Sequence, residues 1–243
     1  ENTLVKLPKQ NVDTGMGLER ANCILQGKTS VYLTEVFQPI IKTIEELSKY
    51  TYGTDEEKDK SVRIIADHSR SSVFILGDQR GVTPDRVGAG YVLRRLIRRA
   101  VRHGMKLGIE ESFLAKIAAT VVENFKIAYP ELEQNAEKIY KELTAEEEKF
   151  RKTLLKGEAE FQKLLPNLMK NPKKIISGKV AYNLYETYGF PLELTQELGA
   201  ENGFTVDVEG FKEAERKDQE ASKTADAGAA KGGLAEQSDV TTK

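Results

Sequence analysis

A chain of 243 residues with 37 basic and 38 acidic side chains, a formal net charge of −1 and 39% hydrophobic residues has room for one large or two modest domains. Its charge is too balanced to draw nucleic acid or membrane globally. The single cysteine, Cys23, excludes an internal disulfide and fits a reducing, cytoplasmic setting; no apolar run reaches a membrane span, and the start Glu1-Asn2-Thr3 has no leader character, so the chain reads as cut from something longer.

The first segment, Thr3-Leu4-Val5-Lys6-Leu7 followed by Pro8, predicts one short strand and a turn. Helices then dominate. Apolar spacing predicts them over Gly15 to Gly27 (Met16, Leu18, Ala21, Ile24, Leu25), over Val36 to Ser48 with Pro39 near its first turn, and from about Asp55 toward Gly77. A loop rich in Gly, Asp, Arg and Pro84 leads to a helix from Gly90 to Lys106. Phe113 to Phe125 gives another. Pro130 opens a long helix with Ile139, Leu143, Phe150, Leu154, Phe161 and Leu165 as a packing seam. The run Glu146-Glu147-Glu148 lies between seam positions and is expected on the solvent face, and a break is expected from Pro166 to Pro172. Two shorter helices, Val180 to Tyr188 and Pro191 to Asn202, precede a charged one from Glu209 to about Ser222. From Ala221 onward, Ala, Gly, Lys, Ser and Thr without apolar periodicity predict a flexible linker. The fold class is therefore mainly α: a multi-helix bundle preceded by one short strand.

The stretch Gly90 to Lys106 holds six fixed positive charges, Arg94, Arg95, Arg98, Arg99, Arg102 and Lys106, and no acid. Arg86 extends the tract. At helical spacing Arg94, Arg98 and Arg102 form one stripe with Arg95 and Arg99 beside it, while Leu93, Leu96, Ile97, Ala100 and Val101 supply a core face. A row of guanidinium groups toward solvent would attract phosphates, because each offers paired planar donors and keeps its charge. A merely solvated basic face is the alternative. Such a face normally mixes acids at positions three or four apart, and none occur here.

A second candidate is Asn11-Val12-Asp13-Thr14-Gly15-Met16-Gly17-Leu18-Glu19-Arg20, a glycine-punctuated entry into a helix. Glycines allow close backbone approach to a ligand, and an Arg one turn on can reach a phosphate. It is neither a dinucleotide fingerprint, which needs a third glycine at Arg20, nor a P-loop, which needs Gly-Lys-Ser/Thr. An ordinary strand-to-helix turn accounts for the spacing alone.

The residues from Asp13 to Arg20 resemble the third signature motif of the class II aminoacyl-tRNA synthetases in their alanine-specific form. Ala66-Asp67-His68-Ser69-Arg70, the Gly90 to Gly104 stretch, and Leu184-Tyr185-Glu186-Thr187-Tyr188-Gly189-Phe190-Pro191 are similar to that family's tRNA-recognition region, in the family's order. The resemblance covers about residues 3 to 222. It implies a remnant of the catalytic domain over 1–28, a helical tRNA-recognition domain over 29–222, and a linker over 223–243 toward an editing domain.

By the same resemblance, Arg20 and Gly17 belong to the ATP site and Asp13 and Gly15 to the alanine site. A carboxylate suits an ammonium, a guanidinium suits a triphosphate, and small glycines suit a small substrate. The implied partner is the acceptor stem of tRNA(Ala), held by Arg94, Arg95, Arg98, Arg99, Arg102 and Lys106, with Arg86 and Glu186 at the two positions where the family reads the third base pair. The family pattern has Asn and Asp there; Glu186 keeps an acceptor with longer reach, and Arg86 removes one. The implied cofactors are ATP and magnesium for the full-length enzyme, with zinc confined to the editing domain. Motifs one and two precede the third in the family, so this piece alone is expected to be inactive, with no cofactor bound. A free-standing helical nucleic-acid-binding module is the alternative reading. Tyr185 and Tyr188 are expected to pack rather than stack on bases, and Asp67 and His68 to satisfy buried polar contacts. The sequence leaves the oligomeric state open.

Overall fold

The computed structural model describes residues 5–6, 8–12, 14–85, 87–218 and 220. The architecture is mainly α, as the periodicity predicts. The helices are α1 (Leu18–Leu25), α2 (Gln38–Ser48), α3 (Glu56–Gly77), α4 (Gly88–Lys106), α5 (Leu114–Phe125), α6 (Pro130–Gln134), α7 (Ala136–Met169), α8 (Gly178–Tyr188), α9 (Leu192–Glu201) and α10 over 208–218, with a short 3-10 turn at Val31–Leu33. Strands β1 (Ile175–Ile176) and β2 (Thr205–Val206) form a parallel pair. Val5 and Lys6 carry no regular structure, and the rest of the expected Thr3 to Leu7 strand lies outside the described residues.

The chain divides into two compact units, one within residues 1–148 and one within 149–243. In the first, local rules set the helix ends. The Asp55 side chain caps α3 by accepting the Lys58 amide at 3.0 Å, and Glu56, Glu57 and Asp59 complement the helix dipole. Pro39 sits in the first turn of α2, where its missing N–H removes nothing. That helix ends on Lys49 in the left-handed conformation at φ 57°.

α3 packs most extensively against α4. Ile40, Ile41 and Ile44 of α2, Val62, Ile65, Val73 and Leu76 of α3, Leu93, Ile97 and Val101 of α4, and Ile117 and Val121 of α5 form a buried core. Two glycines permit close approaches. A Cβ at Gly77 would lie 2.5 Å from Leu132, and one at Gly104 would lie 2.3 Å from the Phe113 ring.

The long helix differs from the sequence expectation at two points. The long helix expected from Pro130 is divided at Asn135, whose amide side chain donates to the carbonyls of Gly77 and Glu131, both at 3.0 Å. At its far end α7 runs through Pro166 to Met169. A proline removes one rung of the ladder, and so close to the end few further bonds are affected.

In the second unit, the Phe190 ring fills the space a side chain at Gly157 would need. β1 and β2 are joined by α8 and α9, and the ladder is extended by the Thr205 amide on the Lys174 carbonyl and the Asp207 amide on that of Ile176, both at 2.9 Å. Tyr182, Tyr185 and Phe211 form an aromatic trio in which Phe211 meets both tyrosines edge-on. Tyr185 is thus a packing residue.

Candidate nucleic-acid interface

α4 begins where Gly90 allows the Thr83 carbonyl and Asp85 to lie against its first turn; a Cβ there would meet both at 2.6 Å. Arg86 lies outside the described residues, so its side chain enters no part of the geometry. From Leu93 onward the apolar stripe faces the core and the cations divide into two groups.

The inward group contains Arg94, Arg98 and Arg102. Arg98 is 4% exposed and Arg102 1%. The Nε groups of Arg94 and Arg98 both donate to the same Glu146 oxygen, at 3.2 and 2.6 Å. The outward group contains Arg95 and Lys106, both exposed, with Arg99 half-buried between them and Val92, 45% exposed, one turn before. The expected solvent-facing row is therefore split: the stripe that sequence spacing assigned to solvent is turned largely inward.

The acids that accompany this turn lie in α7. Glu146 and Glu147 are buried, and only Glu148 of that triplet is exposed, which corrects the expectation that all three face solvent. Burial of these carboxylates is compensated by their partners. Glu146 meets two guanidinium groups. Glu147 accepts the backbone amides of Phe113, at 3.1 Å to each oxygen, and of Leu114 at 2.9 Å, so it caps α5 from another helix. Periodicity within α4 carries no signal for either contact, since Glu146 is 48 residues from Arg98.

His103, also on α4, is buried and shares a hydrogen bond of 2.9 Å with Ser61 Oγ through Nδ1. Burial, reinforced by Lys106, Arg102 and Arg99, pushes its pKa down to about 3, so the imidazole is neutral. His68 instead approaches Asp67, Nδ1 to Oδ2 at 3.1 Å. The His68 hydrogen bond is the main cause holding the Asp67 carboxyl below its usual range.

At the other candidate site, Asp13 lies outside the described residues. Gly15 is exposed, Gly17 precedes α1 as its N-cap, and Arg20 is exposed on the first turn. The Arg20 stem runs beside Gly17, with Cδ 3.4 Å from where a Cβ would stand. This arrangement fits a phosphate: a guanidinium and a backbone open to close approach share one helix start. Glu19 pairs with Arg70 Nη2 on α3 at 2.7 Å, while the Arg70 guanidinium lies 4.5 Å from the Phe37 ring centre. Asn22 donates to Glu35 at 2.8 Å, and Gln26 also donates to it. α1 is thereby tied to its unit through positions 19, 22 and 26, one helical face.

Glu186, in the second unit, is exposed and accepts the Thr187 hydroxyl at 2.9 Å. Among the described residues no group of three or more His, Cys, Asp or Glu is placed to hold a metal ion. No described helix is long and apolar enough to cross a membrane.

Comparison with known proteins extends the picture beyond this geometry. The profile of the tRNA synthetases class II (A) family matches residues 1–242. An alanine–tRNA ligase of Treponema denticola is 58% identical over 236 residues, covering 97% of this chain and 39% of that protein. Ligases of the same name from Treponema pallidum and Borrelia hermsii are 49% and 50% identical, covering 97% and 98% of this chain and 39% and 40% of their own lengths. The chain thus spans about two fifths of the length of these three relatives. Matched over nearly its whole length by that profile, the chain belongs to the class II (A) tRNA synthetases.

Proposed function

We propose that this chain is part of an alanine–tRNA ligase, which activates alanine with ATP and transfers it to tRNA(Ala), and that its helical region supplies acceptor-stem binding. The observation that carries the reading is identity of 58% with an alanine–tRNA ligase across nearly the whole chain. The outer face of α4 supports the RNA role, because Arg95, Arg99 and Lys106 stand at helical spacing on one side with Val92 beside them. Arg98 and Arg102 serve that face from within, by fixing the helix, while Arg86 and Glu186 are the candidates for reading the third base pair.

In the activation step, the alanine carboxylate attacks the α-phosphate of ATP and pyrophosphate leaves. Arg20 holds phosphate charge, Gly17 leaves room beside it, and Asp13 and Gly15 receive the ammonium and small side chain of alanine. In this reading the remaining catalytic groups, and the metal they require, belong to other parts of the ligase.

Binding of the chain to an alanine acceptor-stem hairpin carrying G·U or G·C at the third pair tests the reading. Tighter binding of the G·U hairpin is expected. Absence of binding to either at low salt overturns the RNA role, and equal binding to both reduces it to a phosphate contact without base readout.

A further inference from the structure

We infer that Glu146 sets how many of α4's cations an RNA can engage, acting as a positioning residue that holds Arg94 and Arg98 inward and offsets one of their two charges. The inference rests on the RNA-binding role proposed above. Six cations lie within one acid-free helix, yet one carboxylate oxygen from α7 takes the Nε of both Arg94 and Arg98. Their side chains are 19% and 5% exposed, and that of Glu146 10%. Guanidinium groups held in this way are kept from displacing the cations condensed on a nucleic acid, and turning both outward would strand a buried carboxylate. Arg95, the next residue after Arg94, is exposed.

The neighbouring Glu147 makes this arrangement geometrically definite. It grips the Phe113 and Leu114 amides, and the Phe113 ring lies against Gly104 of α4. Two successive acids therefore address α4 at two heights, one through its arginines and the other through the ring beside its last turn. A helix fixed in this way keeps a constant azimuth, so the division between inward and outward cations is a property of the fold rather than of side-chain mobility.

The inference distinguishes two adjacent arginines. In salt titrations of hairpin binding, Arg95→Gln should flatten the slope of log affinity against log salt by about 0.9, the share of one duplex phosphate contact, whereas Arg94→Gln should leave it within about 0.3. Glu146→Gln, which keeps an acceptor but removes the charge, should steepen the slope by roughly one contact and raise low-salt affinity several-fold. Glu148→Gln removes the same charge from an exposed position of the same helix and should not steepen the slope. Equal flattening by Arg94→Gln and Arg95→Gln overturns the inference, as does an unchanged slope in a folded Glu146→Gln protein. If Glu146→Gln fails to fold, the arginine pair still decides. Failure of the unaltered chain to bind the hairpin at all is a separate outcome and overturns the RNA role itself.

Discussion

Glu147 turns its carboxylate onto the open end of α5 and accepts the Leu114 amide at 2.9 Å, although 33 residues separate the two. The helix has no cap of its own at Phe113, so the first amides depend on this distant acid. Glu147→Ala should lower unfolding stability by about 3 kcal/mol, since it leaves buried amides without an acceptor. Glu147→Gln, which retains one carbonyl oxygen, should lose less than half of that. Urea denaturation monitored by helicity measures both; equal losses would show that charge rather than acceptor capacity matters.

Gly104 is the point at which α4 meets Phe113. A glycine-to-alanine change inside a helix ordinarily stabilises by about 1 kcal/mol. Here a Cβ would stand 2.3 Å from the ring, so Gly104→Ala should instead destabilise by about 1–3 kcal/mol. The penalty should shrink in a Phe113→Leu background, and thermal denaturation of the double-mutant cycle reads the coupling.

His103 gives the fold a specific acid sensitivity. Its folded-state pKa, pushed to about 3 by burial, lies below the ordinary value of 6.5. Between those values the unfolded chain binds a proton that the folded chain does not, so stability falls as pH drops from about 6.5 toward 3, by up to about 1.4 kcal/mol per pH unit. His103→Gln should have a flatter stability profile over that window. Parallel profiles for the two proteins would show that His103 does not set the slope.

Lys49 ends α2 in the left-handed region that favours glycine. Its side chain is exposed, so little packing is lost on removing it. Lys49→Gly should raise stability by about 0.5–1 kcal/mol, seen as a higher midpoint in thermal denaturation, whereas Lys49→Val should lower it.

How much of this was legible in the sequence depends on the range of the interaction that fixes each feature. Helices α2 to α5 follow from apolar spacing and from caps such as Asp55, signals that lie within a few residues of one another. The break at Asn135 was not legible, because it rests partly on a hydrogen bond to Gly77. The strands β1 and β2 are two residues each and pair across 30 positions, too short for alternation to register. The basic helix was visible as a helix and as a cluster of charge. Which charges face outward was not, since periodicity divides a helix into faces without saying what stands opposite each. The answer lay in a glutamate triplet that, taken alone, reads as a solvated stretch. The glycine-rich start of α1 was legible as an element entry, whereas its tie through Glu19 to Arg70 was not.

The parallel pairing of Ile175 with Thr205 and of Ile176 with Val206 closes a ring of chain that contains α8 and α9. Gly178 seals the same closure, because a Cβ there would run into the Gly210 and Phe211 backbone at 2.1 Å. While the ring is shut the ends of this segment are held together, which lowers the entropy each helix would gain by unfolding. Amide hydrogens in α8 and α9 should therefore exchange through one common opening, so that the two helices protect, and lose, their protons together.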